Sequence, residues 1–400
     1  MTLRLAILVV QVIVAACLLY YYALLVAGGR PRRSEKASYE SDDMMRFAIA
    51  IPAHNEEAVI ATTVSQLRDM AYPAERFDVH VVADHCSDAT AQMARSAGAI
   101  VHERGVAPRG RKGYALAWLL PQLLADPVDY DAVVVFDADS RVEPDFLELM
   151  NRALAKSVQV VQGRHVIANP AASTFCALAD ADMRLANRIR NQAKANLGLS
   201  ARLMGDAMCI ARGVLETHPF GAGSLAEDRE YGIQLIAHGV RIGFVPEAVS
   251  RGQATARWRD ATGQRLRWYA GVLQLQRRYI GPLLKAAARQ RSADALAQAL
   301  DLAVLPFSLV CALALLLAAV TALMPSVSIG ALLVLSLSLA GAALAYPVVG
   351  LLAERAPWSG FRALIYGPFY VAWRVWVGLK AQLLRDRVPW IRTEHTKESE

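Results

Sequence analysis

The sequence predicts an α/β domain with a mostly parallel sheet, attached to transmembrane helices. Short apolar runs alternate with helical patterns between positions 47 and 136, which is typical of a parallel sheet covered by helices on both faces. Polar clusters follow several of these runs, at the sheet edge where ligands bind in such folds. Three longer apolar runs, at 3–27, 302–324 and 327–353, each supply the roughly 20 residues that cross a bilayer.

The apolar residues are unevenly distributed along the chain. Of the 400 residues, 55% are hydrophobic, and the excess over an ordinary soluble domain lies in the three long runs. Most of the charge lies between about Arg30 and Arg291, a stretch long enough for one large domain. We therefore expect an N-terminal transmembrane anchor at 1–28 and a globular domain at 29–292. At 293–400 we expect a two-span hairpin, followed by an interfacial amphipathic helix and a tail.

The first apolar run is expected to anchor the chain rather than to be cleaved as a signal peptide. It is too long for the apolar region of a signal peptide, and no A-x-A site follows. Basic residues flank the runs at 30–36 and 277–291, whereas the turn at Pro325 and Ser326 has no charge, so the positive-inside rule places the globular domain in the cytoplasm. We expect an integral protein of a bacterial inner membrane, whose formal charge of +7 faces anionic lipids rather than nucleic acid.

The segment at 361–384 has two interpretations. Its aromatic side chains suit the membrane–water interface, where Trp and Tyr concentrate. Pro368, Arg374 and Lys380 interrupt the segment, and charged side chains are costly at the bilayer centre. We therefore favour an interfacial helix over a fourth span.

Polar clusters follow three of the predicted strands. Strands are expected at 47–51, 79–83, 99–102 and 132–136, with helices at 57–70, 88–97 and 112–124. The clusters are His54, Asn55 and Glu56 after the first strand, 84–88 after the second, and Asp137 and Asp139 after the last. Because the carboxyl ends of parallel strands share one edge of the sheet, these side chains are expected to form a single site.

Asp137 and Asp139 are candidate metal ligands. They come directly after a buried strand and are separated by one residue. Mg²⁺ and Mn²⁺ bind a few carboxylate oxygens together with substrate phosphate, so this pair would hold a divalent cation against a diphosphate. A solvated acidic turn has the same pattern, and Asp-x-Asp alone does not separate the two.

Several segments, in this order, resemble the family 2 inverting glycosyltransferases. They are I-P-A-H-N-E-E at 51–57, A-D-H-C-S-D-A-T at 83–90, D-A-D at 137–139 and A-E-D at 226–228. Q-R-L-R-W at 264–268 resembles the Q-x-x-R-W element of the membrane-bound branch, with its cellulose, chitin and hyaluronan synthases, and W-I-R-T at 390–393 resembles an element that closes many of those chains. The resemblance runs from about 47 to 279 and implies a GT-A fold, a Rossmann-like domain for nucleotide sugars.

The resemblance implies how a nucleotide is held. Pro52, Ala53, Asn55, Glu56 and Asp84 match the positions that surround the nucleotide in similar enzymes. Asp84 can accept a hydrogen bond from a base imide, and Glu56 can bond to a ribose hydroxyl. Asn55 and Glu56 also suit the start of a helix, and both interpretations are compatible.

The resemblance also implies the residues around the diphosphate. Lys112 matches a G-K-x-x-A-L element near the nucleotide or sugar, whereas we expect Arg109 and Arg111 to belong only to a basic loop. Asp137 and Asp139 would hold Mg²⁺ or Mn²⁺, which offsets charge on the leaving nucleoside diphosphate.

Asp228 is the candidate general base. An inverting transfer needs one carboxylate that takes the proton of the acceptor hydroxyl while its oxygen attacks the anomeric carbon. The preceding S-L-A-E at 224–227 fits a capping box, which gives Glu227 a structural role and leaves Asp228 for catalysis. Many relatives have Thr where this chain has Ala226.

The segment at 260–279 is expected to be a helix that completes the site. Gln264 and Arg267 would bind the nucleotide, with Arg267 on the pyrophosphate, and Trp268 would stack on an acceptor sugar. The alternative is a basic amphipathic helix at the membrane, with Trp268 as an interface anchor. We expect Arg265 to face solvent or lipid, and Asp206 to contact the acceptor.

Together these features predict a membrane-anchored inverting glycosyltransferase. It would move a sugar from a nucleotide sugar, here a UDP-sugar, to a lipid-linked or growing polysaccharide acceptor, in surface or exopolysaccharide synthesis, with assembly or export partners. Three spans are few for a polymer channel, so a single-addition enzyme, or a synthase that needs partners, is favoured over a self-sufficient secreting synthase. The alternatives outside this class are a catalytically silent nucleotide- or glycan-binding scaffold and a nucleotidyltransferase.

Overall fold

The computed structural model describes residues 2–29, 44–255, 258–324 and 330–384. Three features of the sequence lie outside these residues: the basic segment at 30–36, the turn at Pro325 and Ser326, and the W-I-R-T segment at 390–393. An eight-stranded sheet forms the centre of the globular part, in the order β3-β2-β1-β4-β7-β6-β8-β5. The strands are β1 Phe47–Ala53, β2 Phe77–Asp84, β3 Ile100–Arg104, β4 Ala132–Val135, β5 Arg141–Val142, β6 Val160–Ile167, β7 Met208–Ala211 and β8 Ile242–Gly252.

The four strands predicted from the sequence form one parallel half of the sheet. Phe47 in β1 pairs with Phe77 of β2 on one side and with Ala132 of β4 on the other, and β3 pairs parallel with β2. β1 is apolar at nearly every position because both faces are covered. Its alternate residues enter two cores, with Phe47 on one face and Ala48 on the other.

The other half of the sheet is mixed and was not predicted. β7 pairs antiparallel with both β4 and β6, β6 pairs parallel with β8, and β5 is an antiparallel edge strand on β8. The α/β class is confirmed, and the antiparallel pairings make half of the predicted mostly parallel sheet mixed.

The helices cover both faces of the sheet and continue into the apolar segments. The helix Lys112–Leu124 has the predicted bounds. The helix Thr174–Met183, a π-helical segment Arg184–Ile189 and the helix Arg190–Asn196 follow one another in succession. The helices are α1 Thr2–Gly28, α2 Ile60–Arg68, α3 Thr90–Ser96, α4 Lys112–Leu124, α5 Phe146–Ala155, α6 Thr174–Met183, α7 Arg190–Asn196, α8 Arg212–Thr217, α9 Glu227–Ala237, α10 Trp258–Gln290, α11 Ala293–Ala303, α12 Phe307–Leu323, α13 Ala331–Ala353, α14 Trp358–Ala363 and α15 Gly367–Leu384.

Two described helices are long and apolar enough to cross a membrane. They are Leu3–Gly28 and Ala331–Ala353. The span expected at 302–324 is not one helix, because α11 ends at Ala303 and Pro306 precedes α12, and the two helices meet at a bend of 54°. Counted together as one broken span, α11 and α12 bring the candidates to three.

The apolar helices pack against one another and against the globular part. Gln11 of α1 donates to Ser336 of α13 at 2.8 Å, and Tyr22 donates to the carbonyl of Ala342 at 2.7 Å. Gly28, at the end of α1, lies close to Ile189. A Cβ at position 28 would be 2.2 Å from the carbonyl oxygen of Ile189. The α1 helix is therefore fixed on the segment that leads into α7.

The C-terminal segment at 361–384 lies in helices that pack on α10 and α12. Trp373 and Val377 of α15 are buried in a small core with Leu266 of α10. This segment is not among the described helices that are long and apolar enough to cross a membrane, which agrees with the interfacial helix favoured from the sequence.

Candidate active site

One cavity of about 940 Å³ lies at the carboxyl ends of β1, β2 and β4 and extends to α12 and α13. All the site residues predicted from the sequence line it, with the exception of Asn55. Those that line it are Pro52, Ala53, Glu56, Asp84, Lys112, Asp137, Asp139, Asp228, Gln264, Arg267 and Trp268. The parallel sheet edge and the start of α10 therefore bring distant motifs to one volume.

Asn55 connects two loops instead of lining the cavity. Its backbone is left-handed, with φ of 57°, and its Oδ1 accepts a hydrogen bond from the backbone N–H of Ser87 at 2.7 Å. The next residue, Glu56, donates its N–H to Oγ1 of Thr90 at 2.7 Å. These bonds fix the loop after β1, which carries Glu56, to the loop after β2.

Asp84, at the end of β2, is buried in an ion pair. Its Oδ1 accepts from Arg104 at 2.5 Å and from Nδ1 of His85 at 2.8 Å. Arg104 is itself buried and also donates to the carbonyl of Pro108 at 2.8 Å. The buried Arg104 therefore neutralises the negative charge of Asp84, which also lines the cavity.

Lys112, the first residue of α4, lies on the carboxylate of Asp137. The same ammonium group donates to the carbonyl of Gly205 at 2.6 Å. Arg111, which precedes α4, also lines the cavity. A fixed positive charge thus adjoins the Asp-x-Asp pair.

Asp206 supports the Asp-x-Asp pair from within the protein. Its Oδ1 accepts from the backbone N–H of Asp137 at 3.1 Å and from Ser140 at 2.7 Å, and its Oδ2 is paired with Nδ1 of His165 at 2.7 Å. Burial opposes its charge, but the His165 and Ser140 hydrogen bonds hold the pKa of Asp206 below its usual range. Asp206 is only 2% exposed, although it is among the residues that line the cavity.

His165 was not predicted to belong to the site. It lines the cavity from β6, and its partner Asp206 is distant in sequence. Burial opposes its protonation, but the contact with Asp206 raises the pKa of His165. Strand β6 was missed in the sequence, so no local signal pointed to this residue.

The Asp-x-Asp pair suits a divalent cation whose other coordination positions would be filled by substrate oxygens and water. Asp137 and Asp139 both line the cavity and offer hard oxygen ligands, and Oδ2 of Asp139 is 3.5 Å from the N–H of Gln253. In the described residues, no group of three or more His, Cys, Asp or Glu side chains forms a metal cage. Mg²⁺ and Mn²⁺ match such a site because one or two carboxylates plus phosphate oxygens satisfy them.

Glu227 and Asp228 open α9 at the cavity. The predicted capping box is wrong, because Ser224 accepts from the N–H of Ala226 at 3.2 Å and Ala226, with no side-chain cap, precedes the helix. Glu227 instead lines the cavity beside Gly113, where a Cβ would lie 2.8 Å from Cγ of Glu227. Burial and the charge of Asp228 raise the pKa of Glu227 to about 7.

Asp228 lies in the same buried pair. Burial raises its pKa, an effect that the backbone hydrogen bond of Arg229 and the charge of Lys112 oppose. Its carboxylate packs on Gly205, since a Cβ at position 205 would lie 3.2 Å from Oδ2 of Asp228. A carboxylate with a raised pKa is better suited to accept a proton near neutral pH.

The α10 helix contributes the third side of the cavity. Burial lowers the pKa of Arg267, an effect that the charges of Glu227 and Asp137 oppose. The guanidinium carbon of Arg265 lies 4.9 Å from the ring centroid of Trp268. Arg265 also pairs with Asp182 at 2.9 Å, so the expectation that Arg265 faces solvent or lipid is wrong.

The cavity continues into an apolar region that the sequence motifs did not predict. Its walls there include Phe307 and Leu315 of α12 and Leu344 and Val348 of α13. The polar site at the sheet edge and the space between the apolar helices are therefore one volume.

Comparisons with known proteins agree with this arrangement. Residues 45–271 match the model of the glycosyltransferase-like family 2. The beta-monoglucosyldiacylglycerol synthase of Synechocystis sp. is 30% identical over 56% of this chain and 47% of its own, and the probable glycosyltransferase YdaM of Bacillus subtilis is 26% identical over 61% and 59%. The chain thus spans about half the length of the curated relatives it matches.

Among solved structures, the mannosyltransferase PcManGT of Pyrobaculum calidifontis superposes with a TM-score of 0.53. It is 19% identical and the match covers 86% of this chain and 98% of that one. This similarity confirms the predicted GT-A fold. With more than half of its length matched by the family model, the chain belongs to the glycosyltransferase-like family 2.

Proposed function

We propose that the protein transfers a hexose from a nucleotide sugar to a lipid-linked acceptor with inversion at the anomeric carbon. The observation that carries this proposal is the single cavity, which joins Asp137, Asp139 and Asp228 to an apolar space between α12 and α13. A soluble acceptor would need no such apolar extension.

The donor would lie at the sheet edge. Glu56 and Asp84 line the part of the cavity that would receive the nucleoside, and the resemblance to known family members favours a UDP-sugar. Asp137 and Asp139 would hold Mg²⁺ or Mn²⁺, which neutralises charge on the leaving diphosphate. The solved mannosyltransferase contains GDP-Man and Mn²⁺, which supports a nucleotide sugar and a divalent ion here.

Asp228 would act as the general base. The acceptor oxygen forms a bond to the anomeric carbon, the bond from that carbon to the diphosphate oxygen breaks, and the hydroxyl proton passes to the carboxylate of Asp228. Lys112 and Arg267 supply positive charge on the side of the leaving group. No second carboxylic acid is needed, because a diphosphate leaves as an anion.

The acceptor would be held by α10 and the membrane helices. Gln264 and Trp268, from the segment that resembles the Q-x-x-R-W element, line the same cavity as the carboxylates and the apolar walls. A relative named for the synthesis of monoglucosyldiacylglycerol supports a lipid acceptor. In this proposal 1–28 anchors the chain, 29–292 is the cytoplasmic catalytic domain and 293–400 completes the membrane part, at a bacterial inner membrane.

Single addition is preferred over processive synthesis. The described residues hold two apolar helices long enough to span, or three with the bent pair, which is few for a channel that carries a polymer. Export partners are not required for a single addition to a lipid, although a polysaccharide product would need them.

The test uses the full chain in lipid nanodiscs, a panel of nucleotide sugars, and the release of nucleoside diphosphate as readout. Release that requires Mg²⁺ or Mn²⁺ and a lipid extract, and that Asp228→Asn abolishes while donor binding persists, would support the proposal. A chain that binds nucleotide sugar but releases no diphosphate with any donor would instead be a silent scaffold. The length of the labelled product distinguishes one addition from many.

A further inference from the structure

A cluster of basic side chains lies between the catalytic carboxylates and the membrane helices. Arg190, Lys194 and Arg202 reach the carboxylate of Asp301, at 3.0, 2.9 and 3.3 Å, and Arg229 contacts the carbonyl oxygen of Asp301 at 3.5 Å. The carboxylate of Asp301 is fully buried. We call Arg190, Lys194, Arg202 and Arg229 the basic cluster.

The basic cluster carries more positive charge than its surroundings neutralise. Four basic groups face one carboxylate, and Tyr20, which donates to Asp301 at 2.7 Å, adds no charge. Even with Asp228, which precedes Arg229, the balance stays positive. Burial and then the neighbouring Arg202 lower the pKa of Arg229 to about 9, as expected of cations that lack enough counter-charge.

The basic cluster also has hydrogen-bond donors without acceptors. Within the described part of the chain, the buried Nε atoms of Arg202 and Arg229 have no hydrogen-bond partner. An unsatisfied buried donor is costly, so a further acceptor beside these two arginines would stabilise them.

The location of the basic cluster makes it accessible to a ligand in the cavity. Arg190, Arg202 and Arg229 line the same cavity as Asp228. Tyr21 of α1, over whose ring Arg190 lies at 5.7 Å, and Phe307 of α12 line the adjacent apolar part. A molecule with its reacting end at Asp228 and an apolar chain between the helices would pass this cluster.

We infer that the basic cluster binds a phosphate group of the acceptor, so that the acceptor is an anionic lipid rather than a neutral one. Guanidinium groups suit phosphate because several N–H donors match its oxygens. The phosphate would balance the excess charge and supply acceptors for Arg202 and Arg229. The apolar chain would follow the walls formed by Leu315 and Leu344. The role of this ligand as the sugar acceptor rests on the proposed function, whereas its binding to the basic cluster does not.

The test measures binding without any donor, so that it is independent of transfer. The full chain in detergent micelles is titrated with hexadecyl phosphate, with hexadecanol and with inorganic phosphate alone. We expect hexadecyl phosphate to bind at least about tenfold more tightly than the other two, since a charge-assisted contact and an apolar chain must both contribute. Comparable binding of hexadecanol would overturn the inference, and equally tight binding of inorganic phosphate would show a site for the free ion instead.

Variants then locate the binding. Arg229→Gln should weaken hexadecyl phosphate about tenfold and leave hexadecanol unchanged. Arg241→Gln is the matched control, because Arg241 has a 65% exposed side chain and does not line the cavity. An equal loss in both variants would mean non-specific attraction to a basic protein and would also overturn the inference. If Arg229→Gln does not fold, the comparison of the three ligands on the unmodified chain decides the question alone.

A failed inference and a failed function give different results. A chain that transfers sugar to neutral lipids but does not prefer hexadecyl phosphate keeps the proposed function and loses the anionic acceptor. A chain that binds hexadecyl phosphate through Arg229 and transfers nothing keeps the phosphate site and loses the function.

Discussion

The ammonium group of Lys112 is hydrogen-bonded to Oδ1 of Asp137, the first carboxylate after β4. It also donates to the carbonyl of Gly205 at 2.6 Å, so two elements hold it in place. Burial alone would lower the pKa of Lys112, but the charges of Asp137 and Asp206 raise it. A fixed cation therefore shares the carboxylate that we propose as a metal ligand.

This contact predicts opposite effects of Lys112→Met on metal binding and on transfer. Removing the ammonium frees one oxygen of Asp137, so the protein without nucleotide should bind Mn²⁺ more tightly. Loss of a charged donor beside the diphosphate should lower kcat/KM about 10- to 100-fold, as charge-assisted hydrogen bonds contribute ~1.5–3 kcal/mol. Electron paramagnetic resonance of Mn²⁺ measures the first effect, and nucleotide release the second.

Lys285→Met provides the control, since Lys285 is an exposed residue of α10 that does not line the cavity. It should change neither quantity. Weaker Mn²⁺ binding in Lys112→Met would contradict the proposed sharing of Asp137.

The Glu227–Asp228 pair predicts an acid limb in the pH dependence of the reaction. Burial raises both pKa values, that of Glu227 to about 7, and a base must be deprotonated to accept a proton. Lys112 and Arg229 favour the charged form of Asp228, whereas Asp137 disfavours it. We expect kcat/KM to fall as the pH drops below about 7, with an apparent pKa that belongs to the pair.

Glu227→Gln distinguishes this pair from an isolated base. Without the like charge of Glu227, Asp228 should lose its proton more readily, and the acid limb should move to lower pH. Glu216→Gln, on a half-exposed side chain of α8, should leave the limb in place. An unchanged limb in Glu227→Gln would mean that the two carboxylates titrate independently.

The parallel half of the sheet could be predicted because its strands are short apolar runs that end in polar motifs. β1 and β4 are buried on both faces, and α4 has the predicted bounds. β6 could not be recognised in this way, since Gln162, Arg164 and His165 interrupt its apolar pattern. Among the side chains that the motifs placed at the strand ends, Glu56, Asp84, Asp137 and Asp139 line one cavity, whereas Asn55 does not.

The groups that support the motifs could not be predicted, because their partners are distant in sequence. Asp206 is paired with His165 through a strand that was not recognised, and Asp182 is paired with Arg265 and Arg374 on two helices. The break between α11 and α12 did have a signal, Pro306, which the uniform hydropathy of the run concealed. Arg265 resembles a surface residue in the sequence, and only its ion pair with the distant Asp182 explains its position.

The contact between Asp206 and Asp137 predicts that Asp206 stabilises the fold as well as the site. Asp206→Ala removes the acceptor for the Asp137 N–H and for Ser140, and leaves His165 without its partner. Breaking a buried, hydrogen-bonded pair costs about 3 kcal/mol, so the free energy of unfolding should fall by roughly that amount. Chemical unfolding monitored by circular dichroism measures it.

Two further variants make this result specific. Asp206→Asn keeps an oxygen acceptor and should lose less stability than Asp206→Ala. Glu103→Ala removes an ion pair with Arg95 whose two side chains are 63% and 51% exposed, and should change stability by less than about 1 kcal/mol. Equal losses in Asp206→Ala and Glu103→Ala would show that Asp206 contributes no more than a surface pair.

The apolar extension of the cavity predicts that the wall at Leu315 affects acceptor use and not donor use. Leu315→Trp would fill the space between α12 and α13, and kcat/KM for a long-chain lipid acceptor should fall about tenfold or more. Its neighbour Leu316 is 59% exposed and does not line the cavity, so Leu316→Trp adds the same bulk to the outer surface. Slow hydrolysis of the donor by water, measured without acceptor, should be equal in both variants, because the sheet edge is unchanged. If both variants reduced acceptor use equally, the apolar region would serve only helix packing. A loss confined to Leu315→Trp would instead mean that the acceptor chain passes between α12 and α13 on its way to Asp228.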